Sequence, residues 1–132
     1  PRSAQVVTLV MDSGALIALE RNDRATWRRL KASLLAQQVP VSHGGVVGQA
    51  WRGAGPRQAR LAMALDAVDV RPLDLALGRA AGELLAAARQ SDVVDAALVL
   101  VSEDGDVILT SDPGDLEPLS IVAGRDVELV PV

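Results

Sequence analysis

The chain has 132 residues, 49% of them apolar, with a net charge of −4 and no cysteine. That length suits one domain with a sizeable core, and the core must be aliphatic, because two tryptophans are the only aromatic residues. Disulfides and thiolate metal sites are excluded; no apolar run reaches the roughly 18–20 residues of a membrane-spanning helix, nor does the start read as a signal peptide, so no membrane role and a cytoplasmic location are expected.

Val6–Met11 is β-branched and bounded by Asp-Ser-Gly, which reads as a buried strand. Ser13–Glu20 reads as a short helix capped by Asp12 or Ser13. A second helix is expected from Asp23 or Arg24 to about Gln37, with Trp27, Leu30, Leu34 and Leu35 on one face. A short strand over Val39–Ser42 and a helix from Gly45 to Arg52 follow. Pro56 suits the first turn of the next helix, which continues over Arg57–Leu65. Val68–Arg71 alternates as a strand does. Asp74 caps a long Ala-rich helix over Leu75–Arg89, and Ser91 or Asp92 caps another that runs to about Glu103. After a turn at residues 103–106 come a strand over Val107–Thr110, a helix over Pro113–Val122 ended by Gly124, and a last strand over Asp126–Val130. Strands alternating with helices predict a single α/β domain: a three-layer sandwich with a mainly parallel central sheet and helices on both faces.

Charge is polarised along the chain. Residues 1–60 carry nine basic groups and three acidic ones, whereas residues 92–132 carry ten acidic groups and only Arg125. A basic surface beside a carboxylate-lined site can hold a phosphate backbone next to a metal ion. The alternative is that Arg21, Arg24, Arg28, Arg29 and Lys31 simply solvate an amphipathic helix.

Four acids stand where strands end or helices begin: Asp12, Asp92, Asp95 and Asp112. In an open α/β sheet ligands bind at the carboxyl ends of the strands. Carboxylates gathered there repel one another, and a hard divalent cation with oxygen ligands makes sense of them. Asp12 serves equally as a helix cap. Asp92 and Asp95, three residues apart, share a helix face, and Asp95 sits among apolar neighbours where an unpaired charge is costly. If the four converge, at least one has a raised pKa without metal. With Mg²⁺ or Mn²⁺ they support water attack on a phosphodiester. Asp115 reads as a surface residue that complements a helix dipole; Glu103, Asp104 and Asp106 read as a solvated turn; His43 reads as a loop residue rather than a general base. Arg52 is a phosphate clamp or a helix-end residue on terminal carbonyls. The glycine pairs match no nucleotide-binding fingerprint.

Three segments together resemble the motifs of PIN-domain nucleases: Met11-Asp12-Ser13-Gly14-Ala15-Leu16-Ile17-Ala18-Leu19, Ser91-Asp92-Val93-Val94-Asp95-Ala96, and Leu109-Thr110-Ser111-Asp112-Pro113-Gly114-Asp115-Leu116. The closest type is the VapC-type toxin of bacterial toxin–antitoxin pairs, and the likeness covers essentially the whole chain. That resemblance implies a Mg²⁺- or Mn²⁺-dependent endoribonuclease, a homodimer and a cognate antitoxin. Asp12, Asp92 and Asp112 carry over as metal-binding acids, and Asp95 is a fourth candidate. The family's glutamate after the second strand is replaced by Gln49, which leaves Gln49 to orient a ligand water, Arg52 to contact phosphate, and Ser13 and Ser111 to line the substrate side. A catalytically weak PIN-like module that binds RNA or a protein is the second reading. A phosphatase with Asp12 as nucleophile ranks last, because Gly14 stands where that chemistry wants a second Asp.

Overall fold

The computed structural model describes residues 7–132. The elements run β1 (Leu9–Met11), α1 (Ser13–Glu20), α2 (Arg24–Leu35), β2 (Val41–His43), α3 (Gly44–Ala50), α4 (Pro56–Leu65), β3 (Asp69–Arg71), α5 (Leu75–Ala88), α6 (Val93–Val101), β4 (Val107–Thr110), α7 (Pro113–Ala123) and β5 (Glu128–Pro131). The sheet has the order β3-β2-β1-β4-β5, and every pairing is parallel. Helices cover both faces, so the architecture is the expected three-layer α/β sandwich.

The strand order locates the site. From β1 the chain moves outward to β2 and β3, then crosses to β4 and β5 on the other side. The direction reverses between β1 and β4, and the crevice above the carboxyl ends at such a point is where this class of sheet binds ligands. The register pairs Val10 with Ile108 and Met11 with Leu109, and the Asp12 amide continues the ladder by donating to the Leu109 carbonyl at 3.1 Å. Asp12 and the Ser111–Asp112 segment therefore emerge side by side.

The core is aliphatic, as the composition requires. Val10, Met11, Leu16, Leu19, Leu61, Leu98, Ile108 and Leu109 are fully buried. Helix α6 is buried along Ala96-Ala97-Leu98-Val99, directly after the partly exposed first turn that carries Asp95. Side-chain caps define the helix starts: Asp12 for α1, Asp23 for α2, Asp74 for α5 and Asp92 for α6. Gly124 ends α7 with φ 68°, the left-handed turn that glycine adopts without strain.

Several boundaries differ from expectation. β1 begins at Leu9; Val6 lies outside the described residues. β2 is shifted toward Val41–His43, which makes His43 a buried strand residue rather than a loop residue. Leu35 is 86% exposed, because five residues beyond the buried Leu30 turn it about 140° away from the core. Asp106 is not solvated: it is buried, and its two carboxylate oxygens accept the amides of Thr8 and Glu103 at 3.1 and 2.8 Å.

Candidate active site

Asp12 ends the central strand with a buried carboxylate. One oxygen accepts the Ala15 amide at 2.9 Å, capping α1, and the other accepts the Ser111 amide at 3.1 Å. Both oxygens face positive backbone dipoles, and each keeps a lone pair. Gly14 makes the close approach of α1 and the β4–α7 loop possible. A Cβ at that position would lie 2.4 Å from Ser111 Oγ and 2.5 Å from its Cβ.

Asp92 caps α6 by accepting the Asp95 amide at 3.0 Å. Asp95 lies half-buried in the first turn of that helix. Its pKa is pushed up to about 6, first by burial and then by the negative charges of Asp92, Asp115, Asp12 and Asp112, in that order. The sequence expectation of a raised carboxyl pKa is met, and Asp95 is where it falls. Asp112 occupies the N-cap position of α7, but its side chain makes no capping bond. Its amide instead donates to Thr110 Oγ1 at 2.9 Å, which leaves the exposed carboxylate uncommitted.

Asp115 is exposed in the first turn of α7, where it complements the helix dipole as expected. It acts on Asp95 more strongly than Asp12 or Asp112 does. Asp112 and Asp115 repeat, at the start of α7, the three-residue spacing of Asp92 and Asp95 at the start of α6. Five acids thus meet in one electrostatic field on the N-termini of α1, α6 and α7, where helix dipoles favour negative charge. Their donors are all hard oxygens, and the excess negative charge suits a divalent cation. Among the described residues, however, no three His, Cys, Asp or Glu side chains stand close enough together to hold an ion as they are.

The remaining candidates separate. Ser111 joins the site through its amide and is exposed; Ser13 is half-buried at the start of α1. Gln49 is exposed on α3 with no hydrogen-bond partner among the described residues. The Arg52 guanidinium donates from one nitrogen to the carbonyls of Gly48 and Trp51 at 3.1 and 2.7 Å, which is the helix-end role. Fully buried His43 accepts the Gly45 amide on Nδ1 at 3.1 Å and sits with Nε2 2.9 Å from the Val94 carbonyl. That pattern assigns the neutral tautomer with the proton on Nε2. Burial lowers its pKa. His43 therefore ties β2 to the first turn of α6, next to Asp95, and was missed because its partner is a backbone carbonyl 51 residues away.

No protein-family model and no curated protein matches the chain. Among solved structures it is similar to a chain of VapBC2 from Rickettsia felis, determined bound to a DNA fragment from their promoter. The TM-score is 0.67 at 9% identity, over 94% of this chain and 99% of that one. At that identity the likeness speaks for the fold alone, and in its fold the chain is PIN-like, as its three acidic motifs imply.

Proposed function

We propose that the protein is a Mg²⁺- or Mn²⁺-dependent endoribonuclease of the VapC type, the toxin of a toxin–antitoxin pair, with a cognate antitoxin as partner and a homodimer as its assembly. The observation that carries this reading is Asp95, held at the switch point of a parallel sheet in the combined field of Asp92, Asp115, Asp12 and Asp112. Like charges that act on a half-buried carboxylate are costly unless a cation offsets them. Asp12, Asp95 and Asp112 would hold the ion, with Asp92 and Asp115 acting partly through its waters, which Mg²⁺ retains readily. The ion supplies Lewis-acid polarisation of the phosphodiester and of the attacking water. The chain's own groups do the positioning. The Ser111 and Ala15 amides fix both Asp12 oxygens, the buried α6 core fixes Asp95, and the uncapped Asp112 is free to turn toward the ion.

The test is cleavage of a mixed-sequence RNA by the purified protein. Cleavage should require Mg²⁺ or Mn²⁺, stop with EDTA, and be lost in Asp12→Asn while the circular dichroism of the fold is kept. Cleavage that survives EDTA and the substitution rejects the reading. The exposed, unpartnered Gln49 favours a second reading, a module that binds without cutting. In that case RNA or partner binding persists with no metal-dependent cleavage.

A further inference from the structure

A groove opens beside the loop that carries Ser111. Its first part is a cleft of about 800 Å³ bordered by Gly14 and Ser111 at one end and by Arg21, Asn22 and Arg24 at the other. Its second part, about 600 Å³, shares Asn22 and Arg24 and continues along Trp27, Arg28, Lys31 and Arg60. The two clefts therefore adjoin at Asn22 and Arg24, and Ser111, at the first of them, bonds Asp12 through the amide already described.

The charge of this groove is one-sided. Arg24, Arg28 and Lys31 fall at i, i+4 and i+7 on α2, a single stripe about 10 Å long. Arg60 joins them from α4, its guanidinium anchored on the Glu20 carbonyl at 2.7 Å. Among the described residues the only ion pair is Arg71 with Asp69, on the far edge of the sheet. Among those residues the groove cations have no carboxylate partner. The acid at the groove, Asp23, has one oxygen engaged by the amide and hydroxyl of Thr26. Trp27 lies among the cations, its ring position set by the indole N–H donating to the Leu19 carbonyl at 3.0 Å. Aligned unpaired cations around a fixed aromatic ring are the composition of a single-strand binding groove.

We propose that the groove of Arg21, Arg24, Arg28, Lys31, Arg60 and Trp27 is the track for the phosphate backbone of single-stranded RNA, delivering the strand to the acid cluster at its Ser111 end. The proposal rests on the nuclease reading for its direction but not for its measurement. Counterion release makes each phosphate contact visible as a salt dependence of about 0.7 per contact on single strands.

Binding of a labelled oligouridylate of about 12 nucleotides by fluorescence anisotropy in EDTA, across a salt series, tests it. Arg28→Gln/Lys31→Gln should bind at least about tenfold more weakly and lower the salt slope by about 1.4. Arg79→Gln, an exposed site on α5, should match the wild type. Unchanged affinity and slope in the double variant, or an equal loss in Arg79→Gln, overturns the track. So does a wild type that ignores the oligonucleotide yet binds a polyglutamate peptide, which makes the groove a protein-docking surface. Binding that behaves as expected without any metal-dependent cleavage retains the track and rejects the nuclease. Normal cleavage by the double variant with unchanged KM does the reverse.

Discussion

The Asp12 carboxylate and the Ser111 amide are separated by 99 residues in sequence and by 3.1 Å in space. Through this bond the end of β1 and the loop after β4 form one structure. Asp12→Ala removes it together with the α1 cap, leaving a buried amide short of an acceptor. The expected loss is about 2–3 kcal/mol, read from urea unfolding. Asp12→Asn keeps an acceptor oxygen and should lose less than half as much. Equal stability of the two variants would show that neither bond matters.

The Gly14 contact with Ser111 predicts a coupling. Gly14→Ala alone should destabilise by about 1–3 kcal/mol, because the new methyl meets Ser111 Cβ and Oγ. Ser111→Gly removes both atoms, so the double variant should recover most of the loss. A double-mutant cycle by chemical denaturation measures this, and simple additivity of the two changes would contradict it.

Asp95 sets a pH dependence of the metal-free protein. Its folded pKa, about 6, lies above the unfolded 3.8. Its stabilising contribution is therefore complete below 3.8 and lost as pH rises toward 6. Asp95→Asn should then be more stable than the wild type at pH 7, by on the order of 1 kcal/mol once solvent screening of a half-buried group is allowed for, or about 3–6 °C in melting temperature. That gain should vanish near pH 3.5. A variant less stable at pH 7 would mean that the charge is compensated in the folded protein.

His43 works in the opposite sense. Its folded pKa lies below the unfolded 6.5, so its contribution is complete above 6.5 and declines as the pH falls from there. His43→Leu should cost about 2–3 kcal/mol at pH 8, through the lost bonds to Gly45 and Val94, and should flatten the acid side of the stability curve. Melting curves from pH 8 to 5 distinguish this from a purely packing effect, which would shift the curve without changing its slope.

Metal addition tests the centre directly. A cation that binds only the folded state raises the melting temperature, by about 2.7 kcal/mol of stability at a hundredfold excess over Kd. Mn²⁺ should do this at pH 7.5, less in Asp112→Asn, and with an affinity that falls below pH 6 as Asp95 takes up its proton. No shift in the wild type at millimolar Mn²⁺ would remove the metal centre from the proposal.

Much of the fold was legible because its signals are local. The caps Asp12, Asp23, Asp74 and Asp92, Pro56 at a first turn and Gly124 at a helix end are read from neighbours in the chain. The acids act on Asp95 from three helix starts, because strand ends in a parallel sheet share one edge, but among the described residues no three of them gather into an ion-holding cluster. What escaped depends on distance in three dimensions. His43 pairs with Val94, Asp106 with Thr8 and Gln58 with Glu20; none of these contacts has a spacing to read. Asp115 was readable as an exposed acid in a helix first turn, but its effect on Asp95 is seen only in three dimensions.

The all-parallel sheet has a temporal consequence. Among the described residues it has no hairpin, and the central strand bonds to a neighbour about a hundred positions further along. During synthesis the first aspartate must wait for the last third of the polypeptide before the other acids can join it. A chain released short of residue 112 lacks one of the acids that act on Asp95, so the topology itself makes this edge of the sheet the last to be completed.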